Sequence, residues 1–311
     1  MRSLTGIAGC GRMGAPMLAA LRAAGLPASG YDVVPSDAPY ITDDIAIFSE
    51  DLDTLITVVR DIDQTENVLF GDQNFAAIPS LIRIIISSTL SPRYVRDLRA
   101  RIPSHIALID APMSGAQIAA QEARLSFMLG GDTADLDAAQ PLFKAMGKHF
   151  HRMGDYGAGM QVKVLNNLLA ASNTAMTRLV LDWADDAGLD TSALLDLIHT
   201  SSGQNWFASG FHSIEFARDG LEPDNTIAIL VKDVASALDA APIGADLSLP
   251  ETVQRTIAAL KPRSLSFLSF LALYPPGELA LAPMGAGPLA LQCYLACHVQ
   301  TPRNLSKLVR L

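Results

Sequence analysis

The chain is poor in cysteine, and this shortage excludes one class of protein. Only three cysteines occur in 311 residues, at Cys10, Cys293 and Cys297. They are too few and too scattered for a disulfide framework, so the sequence favours a reducing compartment. Cys293 and Cys297 are four residues apart, but only His298 stands beside them, and we predict no metal site.

The chain also lacks an excess of basic residues and any long apolar run. A net charge of −9 and a pI near 5.1 argue against a nucleic-acid or membrane partner and favour a small molecule. Residues 1–8 lead into a strand-like segment without the apolar stretch of a secretory signal, and the apolar segment 265–274 is too short to cross a bilayer. We therefore predict a cytoplasmic protein. The length of 311 residues is enough for two domains, and an apolar share of 50% supports a large buried core.

What the chain does have, at its start, is a glycine-rich turn. A predicted strand, Leu4–Ala8, is followed by residues 9–14 (Gly-Cys-Gly-Arg-Met-Gly) and then by a helix rich in alanine and leucine. The first glycine permits a tight turn, the second lets a pyrophosphate approach the backbone, and the third lets helix and strand pack closely. Amides at the helix start suit a diphosphate. The predicted dinucleotide-binding residues of this loop are Gly9, Gly11, Arg12, Met13 and Gly14.

A carboxylate follows the second predicted strand, Ala28–Tyr31, and bears on the choice of cofactor. Asp32 stands where a side chain accepts hydrogen bonds from both hydroxyls of the adenosine ribose and repels a 2′-phosphate. The next residues, 33–35, are Val-Val-Pro and offer a phosphate no cation. We therefore predict NAD, with NADP less favoured. The alternative is an aspartate that caps a turn.

Continuous apolar runs predict parallel strands that are buried on both faces. Leu55–Val59 and Ile82–Ser87 are such runs, and helix-like segments alternate with them, which is typical of a doubly wound Rossmann-type sheet. The stretch 35–53 is short for a full helical crossover, so we expect one helix to be trimmed. At the end of the second run, the Thr89 hydroxyl is placed to touch the nicotinamide ribose. A competing interpretation is that this turn serves only to let Ser91 cap the next helix.

Two further stretches contain groups that suit a small carboxylic acid. The turn after the predicted strand 107–109 offers free backbone amides and the Ser114 hydroxyl, which together suit a carboxylate. Lys163 lies among valines and a leucine, so burial is expected to lower its pKa towards neutrality. Asn167 is four residues on, and that spacing places both side chains on one face of a helix. The alternative is a lysine that extends from an amphipathic helix to solvent.

Taken in order, these stretches resemble the β-hydroxyacid dehydrogenase family, whose members include 3-hydroxyisobutyrate dehydrogenase and tartronate semialdehyde reductase. The resemblance spans residues 4–255. It rests on the loop 9–14 with Met17 and Gly25, the turn 110–115, the segment 157–167 and Lys232-Asp233.

The resemblance implies a role for each matching residue. Lys163 would be the acid/base, and Asn167 would help to hold a substrate whose carboxylate is gripped by Ser114 and Gly115. The other implied contacts are Lys232 at the nicotinamide end, Val59, Arg60 and Thr89 along the cofactor, and Trp206 near the substrate.

The chain also departs from the family pattern. Alanines stand at 116, 119 and 123, where the family has glycines, and Arg124 replaces a small polar residue. The added methyl groups are expected to tighten the loop against the substrate, which puts turnover of the usual small acids in question. Arg60 replaces a proline and adds a cation beside the cofactor cleft.

The second half of the chain is predicted to be helical. Apolar residues recur at helical spacing from Ala158 to Ala187, which indicates one long interdomain helix with an all-helical domain built on it. The length of this helix and the resemblance together predict a homodimer or a dimer-based tetramer. Aromatic residues 206, 207 and 211 either wall the substrate pocket or form the core of this domain.

Three segments are therefore expected along the chain. Residues 1–156 form the NAD-binding α/β domain, and residues 157–260 form the helical substrate and dimerisation domain. Residues 261–311 hold one acid, Glu278, and no sustained helical period, so we expect this segment to be atypical and poorly ordered.

The function predicted from the sequence is NAD-dependent oxidation of a short β-hydroxyacid, or the reverse reduction. Two alternatives remain open. The first is a reductase of imines or other carbonyls on the same scaffold, although relatives of that kind commonly lack the lysine present here as Lys163. The second is an NAD-binding protein without catalytic activity.

Overall fold

A sheet of nine strands forms the centre of the chain in this computed structural model, which describes residues 4–212 and 227–260. In chain order the strands are β1 (Leu4–Ala8), β2 (Ala28–Tyr31), β3 (Ile41–Thr42), β4 (Leu52–Thr57), β5 (Arg83–Ile86), β6 (Ala107–Asp110), β7 (Met113–Ser114), β8 (Leu125–Gly130) and β9 (Gly147–Gly154). Across the sheet the order is β3-β2-β1-β4-β5-β6-β8-β7, and β9 also pairs with β8. Strands β1 to β6 are parallel, whereas β8 is antiparallel to β6 and β7 and parallel to β9.

Helices connect the strands and then take over the chain. The described helices are α1 (Gly14–Ala23), α2 (Ile45–Ser49), α3 (Ile62–Leu69), α4 (Pro92–Arg101), α5 (Ala116–Gln121), α6 (Thr133–Met146), α7 (Ala158–Asp186), α8 (Thr191–Thr200), α9 (Trp206–Ser209), α10 (Ile227–Asp239) and α11 (Ser248–Ala258), with a short 3-10 helix at Phe75–Ala77.

Two hydrophobic clusters cover the opposite faces of the sheet. Ile85 belongs to the cluster that includes residues of α1, α5 and α6, whereas its neighbours Ile84 and Ile86 belong to the cluster with residues of α2, α3 and α4. This follows from the alternation of side chains along a strand. The uninterrupted apolar runs in the sequence are therefore explained by burial on both faces.

The crossover between β2 and β4 is reduced, as expected from its length. It contains only the two-residue strand β3 and the five-residue helix α2, whose first turn is capped by Asp44. Strand β4 itself differs from the prediction, since it covers Leu52–Thr57 rather than residues 55–59. The chain leaves the sheet near Val59, whose amide donates to the Ser88 side-chain hydroxyl at 2.8 Å instead of to a neighbouring strand.

The helix after β5 begins where the sequence indicates. The Ser91 hydroxyl accepts from the amides of Arg93 and Tyr94 at 3.2 and 3.4 Å, and Pro92 occupies the first turn. The predicted cap at Ser91 is thus confirmed. The same hydroxyl donates to Asp239 at the end of α10.

The described residues divide into two compact units. The first includes residues 4–178 and 227–259, and the second includes residues 179–212. Expectations about residues 261–311, including Cys293 and Cys297, lie outside the described residues.

The predicted fold class is confirmed, since a Rossmann-type α/β sheet is followed by a helical C-terminal part. In the described ranges, no helix combines the length and the apolar character that a membrane crossing requires.

Candidate active site

The glycine-rich loop between β1 and α1 forms a turn that larger residues would not fit. Gly9 has φ 95°, and a Cβ there would lie 2.6 Å from the carbonyl oxygen of Val58. A Cβ on Gly14 would collide with the carbonyl oxygen of Gly9, whereas Gly11 faces open space. Two of the three glycines are thus required by the turn, and the third leaves the backbone open to a ligand.

A cavity of about 760 Å³ lies against this loop. It is lined by five of the predicted cofactor residues, namely Gly9, Gly11, Asp32, Val59 and Arg60. The remaining predicted cofactor residues are not among these lining residues. Three of them stand at the start of α1, namely Arg12, Met13 and Gly14. The other two, Thr89 and Lys232, contact each other.

Asp32 is oriented by two backbone amides at the end of β2. One carboxylate oxygen accepts from the Cys10 amide at 2.8 Å, and the other accepts from the Val34 amide at 3.0 Å. The carboxylate therefore lies at the rim of the glycine loop and lines the cavity. An open loop backbone, a carboxylate and a cavity of this size fit the diphosphate and ribose of a dinucleotide.

Lys163 lies on α7 and its amine is sheltered from water. The residue is only 7% exposed, and its Nζ donates to the Ser114 Oγ at 3.1 Å. Ser114 ends β7, and Gly115 follows with φ 134°, where a Cβ would collide with that of Ala119. The structure thus brings together two predicted residues that are 49 positions apart.

The surroundings of Lys163 change its acidity. Burial lowers the pKa of Lys163 from 10.5 to about 8, because removal from water disfavours the ammonium. Asp233 raises this pKa and Lys232 lowers it further. The result is an amine able to take up and release protons near neutral pH.

Asp233 connects the other two predicted residues of this region. Its Oδ2 accepts from Asn167 Nδ2 at 2.6 Å, and its Oδ1 lies 3.3 Å from Lys232 Nζ as an ion pair. Asn167 and Asp233 are 8% and 3% exposed. The carboxylate therefore holds the Asn167 carboxamide on the same helix face as Lys163.

Lys232 joins the loops that follow β4 and β5. Its ammonium donates to the carbonyl oxygen of Thr89 at 2.6 Å and to that of Arg60 at 3.0 Å. Lys232 therefore contacts the backbone of two predicted cofactor residues. Its predicted place at the nicotinamide end stays a prediction.

Both halves of the sequence match known family models. Residues 5–154 match the NAD binding domain of 6-phosphogluconate dehydrogenase, and residues 157–271 match the NAD-binding domain of NADP-dependent 3-hydroxyisobutyrate dehydrogenase. An NAD-dependent L-serine dehydrogenase of Pseudomonas aeruginosa is 32% identical over 207 residues, which are 64% of this chain and 70% of that protein. A probable 3-hydroxyisobutyrate dehydrogenase of Mycobacterium tuberculosis is 31% identical over 246 residues, 75% of this chain and 83% of the other.

The chain belongs to the β-hydroxyacid dehydrogenase family. It is therefore an oxidoreductase that acts on CH–OH groups with NAD or NADP. The solved structure of the Mycobacterium tuberculosis 3-hydroxyisobutyrate dehydrogenase with L-serine agrees, with a TM-score of 0.70 and 28% identity. That match covers 83% of this chain and 93% of the other.

Asp233 lies beside these predicted site residues, and the sequence of this β-hydroxyacid dehydrogenase indicated it only as part of the Lys232-Asp233 motif. The resemblance implied a role for Lys232 alone. The Asp233 carboxylate is buried against Asn167, 66 positions away. The available signal was its place in the Lys232-Asp233 motif.

Two of the substituted alanines adopt backbone conformations that favour glycine. Ala116 and Ala123 have φ 55° and 50°. Ala119 is fully buried in the core beneath Gly115. Arg124 forms an ion pair with the exposed Glu122. The departures therefore leave the loop formed but add strain at two positions.

Trp206 lies in the second compact unit. It begins α9, where the Asn205 side chain caps the helix, and it is 50% exposed. Phe207 and Phe211 are buried and pack edge to face with centroids 5.8 Å apart. Two of the three aromatics thus form core, and the substrate contact of Trp206 stays a prediction.

Proposed function

We propose that this chain oxidises a short 3-hydroxy acid with NAD, or runs the reverse reduction, and that Lys163 is the acid/base. The main support for this proposal is the buried Lys163 amine, which lies 3.1 Å from the Ser114 hydroxyl and has a pKa lowered to about 8. An ordinary lysine stays protonated at neutral pH and accepts no proton. Relatives named for L-serine and for 3-hydroxyisobutyrate support this substrate class, because both compounds are short 3-hydroxy acids.

Binding and proton transfer are divided among four side chains and one backbone segment. The Ser114 hydroxyl and the backbone at Gly115 hold the substrate carboxylate, and neutral Lys163 accepts the proton of the substrate hydroxyl. Asn167, fixed by Asp233, orients that hydroxyl. The glycine loop and Asp32 would hold NAD, which would accept the hydride. In the reverse direction, protonated Lys163 returns the proton to the carbonyl oxygen.

The test is a substrate panel combined with one variant. L-serine, 3-hydroxyisobutyrate and other short 3-hydroxy acids are each offered with NAD and with NADP, and reduced cofactor is measured by its absorbance. Lys163→Met should then lower kcat about 10²-fold while the Kd for NAD changes little. Lys144→Met is the matched control, since Lys144 lies exposed on α6 and should leave kcat unchanged.

Three outcomes would contradict the proposal. Cofactor binding without turnover of any acid on the panel would favour a protein without catalytic activity. Turnover of imines alone would favour the other reductase class. Equal loss of turnover and cofactor affinity in Lys163→Met would show a folding role for this lysine.

Asp32 supports NAD as the preferred cofactor. Its carboxylate lines the cavity beside the glycine loop, where a 2′-phosphate would meet a negative charge. The proposal predicts a lower Kd for NAD than for NADP in a direct titration.

A homodimer is proposed from one face of α7. Leu165, Leu169 and Met176 recur at helical spacing and are 54, 63 and 60% exposed. Large apolar side chains arranged in this way favour burial against a second helix. Light scattering should give a dimeric mass, and Leu169→Glu should shift it towards the monomer.

We also propose that the chain consists of a cofactor domain at residues 1–156 and a helical domain at residues 157–260. The cytoplasm remains the proposed location, because the chain contains only three cysteines. Expression of the intact chain in a reducing compartment, followed by activity measurement, tests this location.

A further inference from the structure

Asp110 is a fully buried carboxylate that belongs to neither the cofactor loop nor the proton-transfer pair. It ends β6, and its two oxygens accept from the first turn of α7. Oδ1 accepts from the Gly157 amide at 2.6 Å, and Oδ2 accepts from the Met160 amide at 2.5 Å. Amides at a helix start have no partner within the helix. The helix that carries Lys163 is therefore capped by a side chain about 50 positions earlier in the chain.

The same contact is packed so closely that it fixes the helix position. A Cβ on Gly130 would collide with Asp110 Oδ1 and would lie 2.8 Å from the Gly159 amide. A Cβ on Gly159 would collide with the carbonyl oxygen of Met128 and would lie 3.0 Å from that of Asp110. The backbone of α7 thus rests directly on β6 and β8. Because no side chain separates these backbones, a small displacement at Asp110 is passed on to α7.

Asp110 is connected to both members of the Lys163–Ser114 pair. Lys163 follows Met160 by three residues, one turn further along the same helix face. Ser114 follows Asp110 by four residues along the chain. The 3.1 Å bond from Lys163 Nζ to Ser114 Oγ therefore joins two segments that are both held by Asp110.

We propose that Asp110 is a positioning residue whose ionised carboxylate anchors the first turn of α7 and so keeps Lys163 within hydrogen-bond reach of Ser114. This inference rests on the proposed role of Lys163 as acid/base. The effect is geometric, because the charges that shift the pKa of Lys163 are Asp233 and Lys232 on α10.

Protonation of Asp110 is expected to release this anchor. Burial raises the pKa of Asp110 to about 6, while the amides of Gly157 and Met160 and the nearby Arg96 on α4 lower it. Tyr156, in the turn before α7, also faces Asp110 and remains a neutral phenol, because burial raises its pKa. Below about pH 6 the group therefore gains a proton and loses acceptor capacity towards α7.

Measurement of the reduction reaction separates the protonation of Asp110 from the titration of Lys163. Lys163 is protonated and competent for reduction at any pH below about 8. An acid limb of the reductive kcat with a midpoint near 6 would then report Asp110.

The variant that tests the inference is Asp110→Asn. It keeps one acceptor oxygen but places an NH₂ donor against an amide donor of α7. We expect kcat to fall about tenfold to 10²-fold, the acid limb to disappear, and the KM for NAD to change little. Asp155→Asn is the matched control, since Asp155 lies exposed just before α7 and should leave kcat unchanged.

A crystal structure of Asp110→Asn gives a readout independent of turnover. The inference predicts that Lys163 Nζ lies beyond ~3.5 Å from Ser114 Oγ in the variant. It is overturned if this bond is retained, or if wild-type kcat and the acid limb persist in Asp110→Asn. If the variant does not fold, a wild-type reductive profile that is flat from about pH 5 to 7 overturns it. Full activity in Lys163→Met would instead overturn the proposed function.

Discussion

Replacement of Lys163 by methionine should stabilise the protein while it removes the activity. The fold lowers the pKa of Lys163 from 10.5 to about 8. This difference corresponds to about 3 kcal/mol, since each pKa unit is worth about 1.4 kcal/mol. The loss of the bond to Ser114 offsets about 1 kcal/mol of that gain. At pH 7 the free energy of unfolding should therefore rise by about 2 kcal/mol.

The stabilisation expected in Lys163→Met depends on pH, and the lowered pKa of Lys163 sets the direction of this dependence. Between pH values of about 8 and 10.5 the unfolded chain binds more protons at Lys163 than the folded chain does, so wild-type stability rises with pH across this window. Below pH 8 the cost of the buried ammonium is present in full. The advantage of Lys163→Met should consequently be largest at pH 7 and should shrink as the pH approaches 10.5.

The assay is urea unfolding of wild type, Lys163→Met and the exposed control Lys144→Met at pH 7 and at a pH near 10. The control should stay within ~0.5 kcal/mol of wild type at both values. A Lys163→Met protein that is less stable than wild type at pH 7 would refute the reasoning. An equal rise in the free energy of unfolding at both pH values would also refute it.

Three further predictions concern single residues around the two sites. Asp233→Asn removes the carboxylate that raises the pKa of Lys163, so the rising limb of the oxidation profile should move to lower pH; a move to higher pH would contradict the assigned sign. Asp32→Ser should raise the Kd for NAD about tenfold and weaken the preference over NADP, as measured by titration with both cofactors. Ala116→Gly should raise the free energy of unfolding by about 0.5 kcal/mol, because glycine relieves the left-handed backbone at φ 55°; a lower melting temperature would speak against strain there.

The sheet and the glycine loop were predictable because their signals are local. Ile84, Ile85 and Ile86 are consecutive apolar residues, and such a run is expected of a strand buried on both faces. The loop at Gly9 and Gly14 is required by backbone contacts within one strand, turn and helix. Elements of two to six residues, such as β3, β7 and α5, are too short to show a period, and the sequence did not indicate them.

The contacts around Lys163 could not be read from spacing alone. Family resemblance named Lys163, Asn167 and Ser114, but their geometry depends on groups 49 to 66 positions apart. Asp233 and Asp110 belong to stretches that carry the resemblance, but the sequence assigned neither carboxylate a role. Only the folded chain shows that both carboxylates are buried against the segment that holds the amine.

Strand β4 illustrates how a side chain ends an element. The apolar run continues to Val59, yet the strand stops at Thr57 because the Ser88 hydroxyl takes the Val59 amide. The sequence around Val59 does not show that a hydroxyl 29 positions away accepts from its amide. Val59 then lines the cavity beside the glycine loop, where a cofactor contact is predicted.

The pH profile of kcat/KM for oxidation, measured for wild type and Lys163→Met, tests the proton-transfer role most directly. The proposed role predicts a rise with a midpoint near 8 in wild type, because only neutral Lys163 accepts the proton, and loss of this limb in the variant. An unchanged limb in Lys163→Met would contradict it.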